Sequence, residues 1–149
     1  MLPFKKIICP TDFSEPSYEG LQCAAELVSH FSAELIVVHV VPVVPPLPPD
    51  PNFAFEVPEY ERALHAEAER TLNELVEQRI SKDVNSRTVV AHGDAADEVV
   101  RLAREEGADL IVIATHGLTG WRHFVFGSVA EKVVRMAECP VLTCRAPRQ

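Results

Sequence analysis

Two glycines and a serine in the C-terminal third of the chain are residues of the type that can form an anion-binding loop. Nine residues separate Gly117 from Gly127, and Ser128 follows at the predicted start of a helix. Glycine lets a backbone approach an anion closely, and the first amides of a helix bind phosphate because they lack intrahelical partners. Here those amides would belong to Gly127, Ser128, Val129 and Ala130. The same pattern is also compatible with a helix cap that binds no ligand.

Other chemistry-bearing patterns are absent from the sequence or ambiguous. The glycine segment lacks the Gly-Lys-Ser/Thr of a Walker A loop, and a G-x-G-x-x-G fingerprint would follow the first strand instead. No carboxylate pair, nucleophile–base pair or metal-ligand cluster stands out. Arg122 can reach a phosphate or remain solvated. His39 ends a hydrophobic run and is interpreted as a satisfied core histidine, not as a ligand.

A second group of polar residues, Pro10, Thr11 and Asp12, follows the first predicted strand. Proline ends the ladder of hydrogen bonds, and the hydroxyl and carboxylate then lie beyond the strand. A carboxylate at such a position can accept hydrogen bonds from a ribose hydroxyl or a base amino group. Alternatively, Thr11, Asp12 or Ser14 simply caps the helix that follows.

Short β-branched runs alternate with helical periods along the chain. The predicted strands cover about residues 4–9, 34–41, 84–91, 109–114 and 141–144. The predicted helices cover about residues 15–32, 58–81, the segment from Asp94 to Gly107, and 128–138. Ser14 is a predicted N-cap, and Ser128 with Glu131, like Asp94 with Asp97, resembles a capping box.

This order of elements predicts an α/β fold with an open, doubly wound parallel sheet of five strands. The run 34–41 is almost continuously apolar, which is typical of a strand buried on both faces of a parallel sheet. Helices between the strands then cover both faces. Ligands of such sheets bind beyond the carboxyl ends of the strands, where the strand order reverses. The polar segments described above follow predicted strands at that edge.

Length and composition limit the classes of protein. The 149 residues carry a formal charge of −8 and are 47% hydrophobic, so we expect one globular domain over 1–149. The acidic balance argues against nucleic-acid binding, and no apolar run approaches the roughly 20 residues of a membrane span. The N-terminus lacks the apolar stretch of a signal peptide, and Cys9, Cys23, Cys139 and Cys144 form no CxxC pair. We therefore expect reduced thiols and a cytoplasmic location.

A proline-rich segment interrupts the alternation of strands and helices. Seven of the twelve prolines lie between Pro42 and Pro58. Because proline fixes φ and lacks an amide donor, we expect an extended crossover loop over about 42–58. A ligand for a partner protein is the alternative interpretation of this segment.

Taken together, these segments resemble the universal stress protein family over essentially the whole chain. The similar segments are Lys6–Ser14, with its Pro-Thr-Asp loop; Leu35–Val40; Asp109–Gly117 followed by Gly127–Val133; and Cys139–Leu142. The nucleotide-binding branch of the family has G-x-x-G, nine residues, then G-[S/T]. Gly117, Gly127 and Ser128 match this pattern, whereas Ala114 replaces its first glycine.

The resemblance implies a flavodoxin-like strand order 3-2-1-4-5, as in adenine nucleotide alpha hydrolase-like folds, and a homodimer built through the last strand. It also implies an ATP site, with or without Mg²⁺. Pro10, Thr11, Asp12 and Val40 would surround adenine and ribose. The phosphate side would be bordered by Ala114, His116 and Gly117 and held by Gly127, Ser128, Val129 and Ala130. We expect the methyl group of Ala114 to be tolerated, because a strand end has φ < 0.

Three functions agree with these residues. The first is an ATP-binding module in stress response or signalling, with little or no hydrolysis. The second is a dimeric interaction protein without nucleotide, and the third is an ATP-cleaving enzyme. The retained glycines favour the first, and the sequence shows no general base or substrate domain that would favour the third.

Overall fold

A computed structural model describes residues 2–45, 57–116 and 126–145. Five strands and four helices alternate along these residues. In chain order they are β1 (Lys6–Pro10), α1 (Glu15–Phe31), β2 (Glu34–Val41), α2 (Val57–Arg79), β3 (Ser86–His92), α3 (Ala95–Glu105), β4 (Leu110–Ala114), α4 (Ser128–Met136) and β5 (Val141–Cys144).

The five strands form one parallel sheet in the order β3-β2-β1-β4-β5. This confirms the order that the family resemblance implies. Ile8 of β1 is paired with Ile36 of β2 on one side and with Ile111 of β4 on the other. From β1 the chain adds β2 and β3 on one side of the sheet and then β4 and β5 on the other side, so the strand order reverses at β1. The carboxyl ends of β1, β2 and β4 meet at one edge.

The two faces of the sheet bury separate hydrophobic clusters. Successive residues of β1, such as Ile7 and Ile8, point to opposite faces. One cluster contains Leu21 of α1 and Leu72 of α2, so these two helices cover the first face. The other contains residues of α3 and α4, including Val99 and Val133. The helices thus form a layer on each side of the sheet.

Two predicted helix caps are confirmed and one predicted capping box is wrong. The side chains of Ser14 and Asp94 accept hydrogen bonds from backbone amides in the first turns of α1 and α3. Gly107, with φ of 63°, follows α3 as expected. Helix α4, however, takes Gly127 as its N-cap, with no side-chain hydrogen bond at the cap. Ser128 is already helical there, so its hydroxyl cannot act as the N-cap acceptor.

The first strand begins later than predicted, because the backbone amides at its start donate hydrogen bonds to a carboxylate side chain. Asp109 accepts hydrogen bonds from the amides of Lys5 and Lys6 at 2.8 and 2.9 Å. Phe4 instead packs edge-on against Phe31 of α1, with ring centroids 5.2 Å apart. The side chain of Asp109 thus binds the backbone at the amino edge of the sheet. β4 begins at Leu110, one residue later than predicted.

An ion network lies at the same amino edge. Arg87 donates to Glu34 at 2.7 Å and to Glu106 at 2.6 Å. Lys6 lies 3.7 Å from Glu34 and 3.6 Å from Glu106. The network therefore joins β1, β2 and β3 to the end of α3, at the opposite end of the sheet from the polar segments predicted to bind a ligand.

The four cysteines are free thiols. Cys9 is buried, and the other three are half-buried. Burial raises the pKa of Cys9 and of Cys139, and it is also the largest cause that raises the pKa of Cys144 to about 12. No described helix is both long and apolar enough to cross a membrane.

Candidate functional site

A cavity of about 320 Å³ opens at the carboxyl edge of the sheet, between the ends of β1, β2 and β4. Its position is the point where the strand order reverses, and its volume lies in the range of small-molecule sites. Ten of the predicted site residues line it: Pro10, Thr11, Asp12, Val40, Ala114, His116, Gly127, Ser128, Val129 and Ala130. The eleventh, Gly117, lies outside the described residues. Segments distant in sequence therefore meet around one space.

The sequence interpretation missed several residues of the cavity wall. They are Ser17, Val38, His39, Ala95, Val99, Ile113 and Thr115. Thr115 could have been found, because it directly follows β4 like its predicted neighbours. Ala95 and Val99 could not, because they border the cavity only through the way in which α3 packs against the sheet.

The Thr11 backbone and side chain are both fixed by neighbouring elements. The Thr11 amide donates to the carbonyl of Val38 at 2.8 Å, which continues the β1–β2 pairing beyond Pro10. The Thr11 hydroxyl lies 2.8 Å from the hydroxyl of Ser17 and accepts from the amide of Phe13 at 3.1 Å. Phe13 adopts a left-handed conformation with φ of 64°. This tight turn brings the next residues back toward α1.

Asp12 and Ser14 form the hydrogen bonds that cap α1, and Asp12 also lines the cavity. Oδ1 of Asp12 accepts hydrogen bonds from the amide of Ser14, at 3.0 Å, and from its hydroxyl. The Ser14 hydroxyl in turn accepts from the amide of Ser17, at 3.4 Å. Ser14 therefore caps α1, while Asp12 is held half-exposed in the wall of the cavity.

Gly127 joins the start of α4 to the end of β4 at very short range. Its amide donates to the carbonyl of Thr115 at 2.6 Å. A Cβ on Gly127 would lie 2.9 Å from the same carbonyl oxygen. The backbone contact alone therefore requires glycine here, whether or not an anion binds.

The first turn of α4 borders the cavity without a side-chain cap. Ser128 and Val129 are exposed there, and the positive end of the helix dipole lies at the cavity. Among the described residues that line the cavity, none is lysine or arginine and Asp12 is the one carboxylate. Recognition of an anion would therefore depend on backbone amides.

The methyl group of Ala114 packs toward α1. Ala114 lies in β4 on the same face as Leu110 and Val112, which belong to the cluster under α1 and α2. An added Cβ on Gly20 of α1 would be only 3.7 Å from Cβ of Ala114. The departure from the family pattern is thus accommodated by a glycine on the neighbouring helix.

A lysine joins the two helices that border the cavity on the other face. Nζ of Lys132 in α4 lies 2.9 Å from carboxylate oxygens of both Asp94 and Asp97 at the start of α3. The hydrogen bond from Lys132 is the largest cause that lowers the pKa of Asp94, and the acceptor Asp97 is the largest that raises the pKa of Lys132. Lys132 therefore forms ion pairs with both Asp94 and Asp97. Asp94 has two roles, because it caps α3 and also links α3 to α4.

Histidine side chains near the cavity bond to neighbouring groups. Nδ1 of His116 lies 2.9 Å from the Thr115 hydroxyl, and Nδ1 of His39 lies 2.8 Å from the carbonyl oxygen of Thr11. His39 is thus a satisfied histidine, as expected. The described residues include no group of three or more histidine, cysteine or acidic side chains that could hold a metal ion.

Comparisons with known proteins agree with this geometry. The chain is 34% identical over 146 residues to universal stress protein MJ0531 of Methanocaldococcus jannaschii, covering 98% of this chain and 85% of that protein. The solved structure of MJ0577 from the same organism matches with a TM-score of 0.75 and 26% identity, covering 98% of this chain and 99% of that one. A universal stress protein solved in complex with cAMP shares the fold, with a TM-score of 0.68 and 22% identity, covering 97% of this chain and 98% of that one.

The match to a family extends over almost all of the chain. Residues 3–145 match the profile of the universal stress protein family. The strand order, the Pro-Thr-Asp loop after β1 and the glycine–serine start of α4 all lie within those residues. The chain therefore belongs to the universal stress protein family.

Proposed function

We propose that this protein binds ATP in the cavity at the carboxyl edge of the sheet and acts as a stress-response or signalling module in the cytoplasm. The observation that carries the proposal is the meeting of ten site residues, which the family resemblance implies, around one cavity where the strand order reverses. A relative of the same fold was solved in complex with cAMP, which supports an adenine nucleotide as the class of ligand.

In this proposal the two ends of the cavity bind different parts of ATP. Asp12 and Val40 lie beside β1 and β2, where the carboxylate and the apolar side chain suit ribose and adenine. The amides of Ser128, Val129 and Ala130 at the uncapped start of α4 suit the phosphates. Gly117 would contribute to the phosphate side.

The cavity favours binding over hydrolysis. Asp12 is the one carboxylate among the described lining residues, and its Oδ1 is engaged by Ser14. It lies after β1, whereas the proposed phosphate site lies at α4 after β4. A base that activates water must be within hydrogen-bond reach of that water. We therefore expect little or no turnover of ATP.

Isothermal titration calorimetry of the full chain with ATP and Mg²⁺ tests the proposal. We expect saturable heat and a rise in melting temperature, because a ligand that binds only the folded state stabilises it. Inorganic phosphate released during prolonged incubation should stay near the background rate. Neither heat nor a thermal shift at millimolar ATP would reject nucleotide binding and favour the interaction protein instead.

We also infer that the protein forms a homodimer through β5. The carbonyl of Pro140 accepts from the amide of Ile111 in β4, and the carbonyl of Cys144 accepts from the amide of Thr115 just after β4, so alternate residues along β5 pair inward. The backbone groups of Val141 and Thr143 then point to the outer edge of the sheet. Leu142, in the same strand, is 39% exposed. Within the described residues no strand pairs with this edge, and an edge with an exposed apolar side chain suits pairing with the same strand of a second chain.

A further inference from the structure

A histidine outside the expected site contacts the loop that would bind adenine and ribose. His39 is the sixth residue of β2, a strand that is otherwise apolar after Glu34. Side chains alternate along a strand, so His39 points to the face covered by α1 and α2, opposite to Val38 and Val40. A polar side chain at such a position destabilises the fold unless it is hydrogen-bonded. The hydrogen-bond partner of the His39 side chain therefore indicates the role of this residue.

That partner is the backbone of the Pro10–Asp12 loop. Nδ1 of His39 lies 2.8 Å from the carbonyl oxygen of Thr11, while the amide of Thr11 donates to the carbonyl of Val38 at 2.8 Å. Two consecutive residues of β2 thus hold both backbone polar groups of Thr11. One does so through its main chain and the other through its imidazole.

The ring of His39 also supports the turn that follows. It stacks on Phe13, with ring centroids 4.2 Å apart and planes inclined by 28°. Phe13 is the residue with the left-handed φ of 64°, and its carbonyl accepts a hydrogen bond from the Tyr18 hydroxyl at 2.9 Å. His39 therefore contacts the loop both before and after Asp12.

We propose that His39 is a positioning residue of the nucleotide site, whose Nδ1–H holds the Thr11 carbonyl and so fixes Asp12 relative to Val40. The effect of His39 on ATP affinity rests on the proposed function. A carbonyl oxygen only accepts, so Nδ1 carries a proton in both the neutral and the cationic ring.

Three variants separate the hydrogen bond from the space that the ring fills. Asparagine places its Nδ2 donor as many bonds from the backbone as Nδ1 of histidine, so His39→Asn keeps the donor and loses the ring. His39→Leu loses both, and His39→Gln moves the donor one bond further out. We expect the Kd for ATP to rise about tenfold in His39→Leu and His39→Gln, because one partly buried hydrogen bond is lost. His39→Asn should stay within about threefold of the parent.

Two measurements test the positioning without ATP. Nitrogen-15 NMR of the parent should show that the His39 ring carries a proton at Nδ1. Amide hydrogen exchange at Thr11 should be faster in His39→Leu than in His39→Asn, because only leucine releases the loop. If His39→Leu does not fold, the comparison of His39→Asn with His39→Gln replaces it.

The outcomes distinguish the two proposals. Parent-like affinity in a folded His39→Leu, equal loss in His39→Asn and His39→Leu, or a ring protonated only at Nε2 would overturn the role of His39. A parent that binds no ATP would instead reject the proposed function. In that case faster exchange at Thr11 in His39→Leu would still support the positioning, and equal exchange in His39→Leu and His39→Asn would overturn it.

Discussion

Gly20 of α1 lies so close to Ala114 of β4 that a side chain on Gly20 would meet the backbone of β4. A Cβ on Gly20 would lie 3.1 Å from the amide nitrogen of Ala114. β4 pairs with β1 on one side and with β5 on the other, so this backbone cannot easily move away. The close approach therefore sets the distance of α1 from the strand that ends at the proposed phosphate side.

Gly20→Ala should destabilise the protein although alanine favours helices. The gain in helix propensity is about 1 kcal/mol, whereas overpacking against a fixed backbone costs about 1–3 kcal/mol. Urea denaturation should show a lower free energy of unfolding. Ser29→Ala, at an exposed position of α1, is the control and should change stability by less than about 0.5 kcal/mol. A more stable Gly20→Ala variant would show that α1 can move.

Ala114→Gly restores the glycine of the family pattern and should leave ATP affinity unchanged. The methyl group packs toward Gly20, so its removal opens space at α1 and not at the phosphates. Stability should fall by about 1 kcal/mol, because glycine in a strand costs conformational entropy and a buried methyl is lost. Calorimetry and denaturation measured on the same preparations separate the two effects. Clearly tighter ATP binding would place the methyl in the path of the nucleotide.

Substitutions of Ser128 test the phosphate side more cleanly than substitutions of Gly127, where any Cβ meets the Thr115 carbonyl at 2.9 Å. Proline is favoured at the first helical position, and Gly127 has an extended ψ of 142° that suits a following proline. Ser128→Pro removes the amide donor and the hydroxyl, whereas Ser128→Ala removes only the hydroxyl. We expect Ser128→Pro to raise the Kd for ATP about tenfold or more and Ser128→Ala to change it less.

Melting temperatures of both Ser128 variants control for folding. Equal ATP affinity in a folded Ser128→Pro and in the parent would show that this amide does not contact a phosphate. Equal loss in Ser128→Pro and Ser128→Ala would assign the interaction to the hydroxyl alone.

The ion network at the amino edge should make stability depend on acid pH through Glu106. The hydrogen bond from Arg87 is the largest cause that lowers the pKa of Glu106 in the folded protein. A carboxyl group with a lowered folded pKa stabilises the protein above its unfolded pKa of about 4.3, and this stability is lost as pH falls through the folded value. Because the carboxylate is partly exposed, its share is at most about 1 kcal/mol.

Glu106→Gln should therefore lose less stability than the parent between neutral pH and pH about 3. Denaturation curves at several pH values measure this difference. Glu77→Gln, at an exposed position of α2, provides the matched control and should follow the parent. Identical pH profiles for Glu106→Gln and the parent would contradict a stabilising role of this carboxylate.

Val141→Pro tests the proposed dimer. It removes an amide that points to the outer edge of β5 and leaves the hydrogen bonds accepted by Pro140 and Cys144 in place. Light scattering of the parent should give twice the single-chain mass of 16.5 kDa, and the variant should approach the single-chain value. A parent at 16.5 kDa, or a variant that keeps the mass of the parent dimer, would reject pairing through β5.

The helices and strands were predicted more accurately from the sequence than the residues at which they begin and end. Contacts within one segment were also predicted more accurately than contacts between distant segments. The bounds of β2 and β5 agree with the prediction, because apolar runs bounded by turn residues mark them. β1 was predicted too early because the carboxylate that binds its first amides, Asp109, lies more than 100 residues away. The Ser128 capping box failed because the short contact of Gly127 with Thr115 fixes where α4 begins.

In the candidate site, too, residues next to strand ends could be predicted, whereas contacts between distant segments could not. Residues directly after β1 and β4 could be chosen from the sequence, because the carboxyl ends of parallel strands meet at one edge. The bond from His39 to Thr11 spans 28 residues and involves a backbone carbonyl, for which a sequence has no signal. Ala95 and Val99 depend on how α3 lies against the sheet, which only the packing of the whole core determines.

The burial of the cysteines affects how this stress protein would respond to oxidants. Peroxides attack the thiolate and not the thiol. Cys9, Cys139 and Cys144 all have a raised pKa, with burial as the largest cause, so at neutral pH they remain protonated. A raised pKa therefore makes these three sulfur atoms less reactive toward peroxides than the sulfur of a low-pKa cysteine.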